Sequence, residues 1–176
     1  MEKSSENIYL VGLMGAGKTT IGRSLAKRLE RGFVDTDKEI ESRTGVSIPT
    51  IFEIEGEDGF RKREAQIIEE FAQTSGLVVA TGGGSVLRKE NRDNMRYSGL
   101  VIYLDVPPQT LWERTRNDRN RPLLHVADPL LKLNQLFSVR DPLYREVAEL
   151  IVDGSRMSAQ GVLQYLLREV ENRWKR

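Results

Sequence analysis

Gly12-Leu13-Met14-Gly15-Ala16-Gly17-Lys18-Thr19 fits the pattern G-x-x-x-x-G-K-[ST] in full. Its setting fits as well. The apolar run Ile8-Tyr9-Leu10-Val11 precedes it as a central parallel strand would. From Thr19 to about Leu29, Ile21, Leu25, Ala26 and Leu29 recur at helical spacing, and Arg31-Gly32 supplies a stop. In such a strand-turn-helix unit the glycines let backbone N–H groups converge on a phosphate at the positive end of the helix. Lys18 can reach outer phosphates and the Thr19 hydroxyl can ligate Mg²⁺. Gly15, Ala16, Gly17, Lys18, Thr19 and Thr20 are the candidate nucleotide contacts.

Outward from this loop the pattern repeats. Gly32-Phe33-Val34-Asp35-Thr36-Asp37 reads as a short strand, with Phe33 and Val34 as its buried part, ending in two carboxylates. Residues 38–71 read as helices broken near Gly45 and Pro49 and again at Gly56-Glu57-Asp58-Gly59, with 60–71 the clearest. Leu77-Val78-Val79-Ala80 is a third strand and runs into Gly82-Gly83-Gly84. Leu100-Val101-Ile102-Tyr103-Leu104 is a fourth, stopped by Pro107-Pro108 before a helix over about 109–116. Leu150-Ile151-Val152 is a fifth, and 159–174 is an amphipathic closing helix. Short apolar strands alternating with helices predict an α/β fold: a five-stranded parallel sheet covered on both faces. No repeat or low-complexity segment interrupts it.

Composition narrows the function. The 176 residues suit one domain, residues 1–176. Twenty-seven Lys and Arg against 26 Asp and Glu give net +1, so no broad field draws nucleic acid or an anionic membrane. The absence of cysteine excludes disulfides, thiol nucleophiles and Cys-ligated metals and fits an intracellular, cytoplasmic protein. The single histidine, His125, cannot build a zinc site and reads as a solvated side chain. The polar N-terminus and the short, glycine-interrupted run after it indicate neither signal peptide nor membrane span.

The remaining candidates follow from where ligands gather in an open α/β sheet, at the carboxyl ends of the strands. On a strand Asp35 and Asp37 would share a face and repel. A turn or helix N-cap would explain them; so would a pocket shared with Lys18 and Mg²⁺. Gly82, Gly83 and Gly84 remove side chains where a ligand can approach the backbone, or form a plain turn. Arg61 lies on the same helical side as Glu64, either as a surface ion pair or as a guanidinium fixed for bidentate capture of a carboxylate. Residues 114–124 carry four arginines, Arg114, Arg116, Arg119 and Arg121. Such a segment is either a solvated loop or one that closes over a nucleotide and excludes water. Arg140, in Arg140-Asp141-Pro142-Leu143-Tyr144, is a second candidate carboxylate clamp.

The phosphate loop, D-T-D at 35–37, F-R at 60–61, G-G-G at 82–84, R-P-L-L at 121–124 and R-x-P-L-Y at 140–144 resemble the shikimate kinase family in order and spacing over essentially the whole chain. The resemblance implies a nucleoside-monophosphate-kinase-like fold with a core, a substrate-binding region at about 35–64 and a lid at about 115–127. It implies Mg-ATP-dependent phosphorylation of the 3-hydroxyl of shikimate, toward chorismate and the aromatic amino acids, by a monomer. Asp37 would accept from the shikimate hydroxyls as base or orienting group, and Asp35 would serve the Mg²⁺ shell with Thr19. Arg61 and Arg140 would hold the shikimate carboxylate, and Gly82, Gly83 and Gly84 would offer backbone N–H groups. Lys18 and Arg121 would act on the ATP phosphates, with Arg121 as the lid arginine. Arg114 would stack on adenine, with Arg156 in the loop facing it. A kinase of gluconate or a nucleoside monophosphate is the related alternative, although paired arginines suit a carboxylate-bearing polyol better. A non-catalytic nucleotide-binding module is the more distant one, and no N-K-x-D stretch for guanine is present.

Overall fold

The run at 8–11 forms β1 (Asn7–Val11), every residue of which is buried, as a strand with neighbours on both edges and helices on both faces must be. In the computed structural model, which describes residues 5–118 and 121–175, β1 pairs in parallel with β3 (Leu77–Ala80) and β4 (Gly99–Asp105), setting Tyr9 opposite Val79 and Val101. β2 (Gly32–Asp35) adds to β3, and β5 (Leu150–Asp153) adds to β4. The order is β2-β3-β1-β4-β5. The expected five-stranded parallel sheet is present.

The crossovers are α1 (Lys18–Leu29), α2 (Thr36–Thr44), α3 (Ile48–Ala72), α4 (Lys89–Ser98), α5 (Pro108–Thr115) and α6 (Pro129–Val147), with α7 (Ala159–Trp174) closing the chain. α7 packs on α1, α4 on α3, and α6 on α5. The helix breaks fall close to where the glycines and prolines place them. Gly45 ends α2 in the left-handed conformation at φ 73. Pro49 lies in the first turn of α3 behind the Ser47 cap, and Gly56 interrupts α3 at φ 72.

Four features differ from the sequence pattern. β2 is an edge strand, so Phe33 and Val34 are only half-buried. α1 stops at Glu30, left-handed at φ 55, before Gly32 opens β2. α4 is a helix that apolar periodicity does not mark, because only Asn91 and Met95 of its ten residues are buried. α6 runs through Pro142, which as an interior helix residue masks the element in the sequence. Among the described residues no helix is long and apolar enough to cross a membrane.

Because all five strands run the same way, the phosphate loop after β1, the Asp35–Asp37 turn after β2 and Gly82–Gly84 after β3 emerge along one edge.

Candidate active site

A cavity of about 660 Å³ opens along that edge. The glycine loop, Asp35, Asp37, Arg61, the glycine triplet, Arg114, Arg121 and Arg140 all line it. Arg156 does not: its exposed side chain pairs with Asp153 at 3.3 Å, and Met157 beside it faces the cavity instead.

The nucleotide end is built from backbone. α1 begins directly on Gly17, at φ 99, and no side chain caps its first N–H groups. Those donors and the positive helix end are left for an anion. Gly15, at φ 82, lets α5 approach, since a Cβ there would stand 2.6 Å from Thr115 Cγ2. Arg114 Nη1 donates to Gly15 O at 3.1 Å, fixing the start of the expected lid against the loop. Lys18 Nζ donates to Gly12 O and to Leu13 O. Burial pushes its pKa down to about 8 against the opposing pull of Asp37.

The N-cap reading of the Asp35–Asp37 stretch holds for Asp35, and Asp37 lines the cavity together with Lys18. Asp35 is the N-cap of α2: Oδ1 accepts from the N–H groups of Asp37 at 3.0 Å and Lys38 at 3.1 Å. Its Oδ2 accepts the Thr19 hydroxyl at 2.7 Å. A hydroxyl and a carboxylate oxygen beside a phosphate loop suit Mg²⁺, which keeps several waters and takes its other ligands from phosphate. Among the described residues no cluster of three His, Cys, Asp or Glu offers a full protein cage, as such a site requires none.

Asp37 lies in the first turn of α2, so the two carboxylates do not share a strand face. Its Oδ1 is buried without a partner. Burial, then Asp35, raises its pKa, while Lys18, Arg121 and Arg61 pull the other way. Asp37 lines the cavity, and a carboxylate with an unpaired acceptor there suits a ligand hydroxyl.

The glycine triplet makes room for charged side chains of the protein itself. A Cβ on Gly82 would stand 2.7 Å from both Asp37 Oδ1 and Glu64 Oε2. One on Gly83 would meet Arg140 Nη1 at 3.5 Å, and one on Gly84 would overlap the Arg61 guanidinium. Arg61 is 7% exposed, which removes the surface-pair reading. It donates to Glu64 Oε1 at 3.1 Å and Glu57 Oε1 at 3.2 Å. Glu64 is wholly buried, and burial pushes its pKa up to about 7 against the pull of Arg61. Arg140 is 3% exposed, on α6. Arg121 Nε sits 3.2 Å from Asp118 Oδ2. Arg119 and Asn120 of the expected lid lie outside the described residues, and His125 is exposed.

Three residues here were given no role by the motifs, although Thr36 and Tyr144 lie inside two of them: Glu57, Thr36 and Tyr144. Glu57 lies four residues before Arg61, a helical spacing that could have flagged it. Buried Thr36 accepts from Gly82 N, and the Tyr144 hydroxyl donates to Gly83 O. Neither contact has a local sequence signal, because the partners are distant in the chain.

A five-stranded parallel sheet with a phosphate loop at its centre, and a cavity setting carboxylates against arginines, define a P-loop kinase acting on a small molecule. The chain belongs to the shikimate kinase family, whose model matches residues 14–171. It is 65% identical over 163 residues to the shikimate kinase of Dechloromonas aromatica, covering 93% of this chain and 89% of that one. It is 57% identical to the shikimate kinase of Aromatoleum aromaticum over 94% of each. Its structure superposes with a TM-score of 0.94 on the shikimate kinase of Acinetobacter baumannii in complex with shikimate, at 47% identity over 97% of this chain and 96% of that one.

Proposed function

We infer that the chain transfers the γ-phosphoryl group of ATP to the 3-hydroxyl of shikimate, giving shikimate 3-phosphate and ADP, in the route to chorismate and the aromatic amino acids. The observation that carries this reading is the unpartnered, buried Oδ1 of Asp37 in one cavity with the buried guanidiniums of Arg61 and Arg140. Shikimate has one carboxylate, which arginines suit, and several hydroxyls, which a carboxylate acceptor suits.

In this reading the loop N–H groups from Gly15 to Thr20, those at the start of α1 uncapped, and the Lys18 ammonium bind the ATP phosphates. Thr19 and Asp35 hold Mg²⁺, which when bound neutralises charge on the phosphates. Asp37 Oδ1 accepts the hydrogen bond of the attacking hydroxyl and aims its oxygen at the γ-phosphorus. With a loose transition state the aim matters more than early proton removal, and the raised Asp37 pKa lets the same oxygen take the proton as the new bond forms. Arg61 and Arg140 clamp the acceptor carboxylate, and the N–H groups of Gly83 and Gly84 complete the pocket, that of Gly82 being committed to Thr36 Oγ1. Arg121 closes from a lid at about 115–127 onto the transferring phosphate and excludes water, while the acceptor region spans about 35–64 of the single domain. Adenine lies against Arg114, with the loop at Arg156 and Met157 facing it. The protein acts in the cytoplasm as a monomer, on small molecules and not on nucleic acid.

A coupled assay of ADP release over shikimate, gluconate and nucleoside monophosphates tests the reading. Turnover with shikimate is expected, and Asp37→Asn should lower kcat by about 10²–10⁴-fold while ATP still binds. No turnover with shikimate, or full activity in Asp37→Asn, rejects it.

A further inference from the structure

We propose that Tyr144 is a positioning residue for the acceptor carboxylate: its hydroxyl ties the Arg140 guanidinium to the Gly83 carbonyl and holds the cation in place without neutralising it. This rests on Arg140 taking the carboxylate of shikimate.

The two arginines are held in different ways. Arg61 is flanked by carboxylates, at 3.1 Å from Glu64 and 3.2 Å from Glu57. Among the described residues no carboxylate stands within ion-pair distance of Arg140, on which Glu57 and Glu64 act only from farther off. Arg140 and Tyr144, both buried and four residues apart on α6, instead converge on Gly83: the Tyr144 hydroxyl bonds its carbonyl, and Arg140 Nη1 stands 3.5 Å from where its Cβ would lie. The phenol proton goes to Gly83 O, which leaves the oxygen lone pairs toward Arg140. Burial raises the Tyr144 pKa above the ordinary phenol value, so the phenol is neutral at neutral pH. A neutral acceptor orients a guanidinium yet leaves its charge unspent, whereas a carboxylate in that place would compete with the substrate.

The phenol is itself immobilised. Its ring packs on Tyr103 of β4 at 4.9 Å between centroids. The Tyr103 hydroxyl donates to Asp141 Oδ1 at 2.7 Å, and Arg145 bridges Asp141 and Asp105, at 3.1 and 2.6 Å. These bonds pin α6 to β4 on either side of Tyr144 in the chain, so the Tyr144 oxygen has one place to stand. Gly83 completes the arrangement through its carbonyl, which accepts the Tyr144 hydroxyl beside Arg140.

Kinetics of Tyr144→Phe, Arg140→Ala and the double variant decide this, measured well below the thermal midpoint of each. Tyr144→Phe keeps the ring on Tyr103 and removes only the hydroxyl. We expect it to raise the shikimate KM about tenfold and leave the ATP KM unchanged. In the Arg140→Ala background the same change should alter the shikimate KM less than about twofold, because the group it acts through is gone. An unchanged shikimate KM in Tyr144→Phe, a rise in both KM values, or a full tenfold effect without Arg140 overturns the role of Tyr144 while leaving the acceptor site as read. If Arg140→Ala itself does not raise the shikimate KM, the carboxylate clamp falls, and the role of Tyr144 with it.

Discussion

Thr36 Oγ1 accepts a hydrogen bond from Gly82 N at 2.9 Å, joining the first turn of α2 to the turn after β3. Thr36 is wholly buried and stands between the two aspartates. Thr36→Val keeps the shape and leaves the Gly82 N–H unsatisfied, which costs about 1–3 kcal/mol. Urea unfolding should show that loss, together with a higher shikimate KM as Gly82 shifts against Asp37. An unchanged unfolding midpoint would mean that the bond carries no weight.

Gly82→Ala tests the close approach directly. The new Cβ would stand 2.7 Å from Asp37 Oδ1 and Glu64 Oε2, inside any real contact distance, so both carboxylates must move. A displacement near 1 Å at a positioning group can cost about 10²-fold in rate. We expect kcat with shikimate to fall by about that factor while Mg-ATP binding, measured by calorimetry, is preserved. Near-normal kcat would show that the Asp37 carboxyl need not sit where it does.

Lys18 makes ATP binding proton-linked. Its pKa in the folded protein is about 8, lowered from 10.5 chiefly by burial. Phosphate charge favours the ammonium and restores the higher value. Between those two pH values binding should therefore take up a proton, and below about pH 8 the uptake should vanish because Lys18 is already charged. Titration calorimetry at about pH 9 in buffers of different ionisation enthalpy measures the uptake. Lys18→Arg, always charged, should abolish it; uptake that survives the substitution would place its source elsewhere.

Glu64 should make the protein less stable as pH rises. Burial lifts its pKa from 4.5 to about 7, so the folded chain keeps a proton that the unfolded chain releases between those values. The contribution is fully present below 4.5 and is lost as pH climbs through 7, amounting to about 3 kcal/mol. Asp37, also raised by burial, acts with the same sign. Glu64→Gln keeps a neutral side chain at every pH, so its unfolding free energy should fall less than that of the parent between about pH 5 and pH 8. Parallel curves for the two proteins would contradict the assignment.

Much of this was legible along the chain. The glycine loop carries its own context of strand before and helix after, and the parallel sheet follows from short apolar runs alternating with helices. Arg61 and Glu64 share a helical side, as their spacing of three dictates, and they do pair. α4 and α6 were not legible: one buries almost nothing apolar and the other contains a proline. Phe33 and Val34 looked buried because they are apolar, yet a strand's place in a sheet depends on partners far away in sequence. The resemblance sets Arg156 beside adenine, while in the structure its side chain pairs with Asp153.

The sequence by itself determined the phosphate loop, the fold class and the inventory of charged groups, because each rests on local spacing or on periods of a few residues. Tertiary structure alone decided how those charges are used. Asp35 became a cap that also receives Thr19, Asp37 kept one oxygen free in a buried site, and Gly82 and Gly84 gave their side-chain space to charged groups from other elements. Those outcomes depend on which carboxyl ends the parallel sheet lays side by side, and on how far the fold buries the groups between them. Neither is a property of any short stretch of chain.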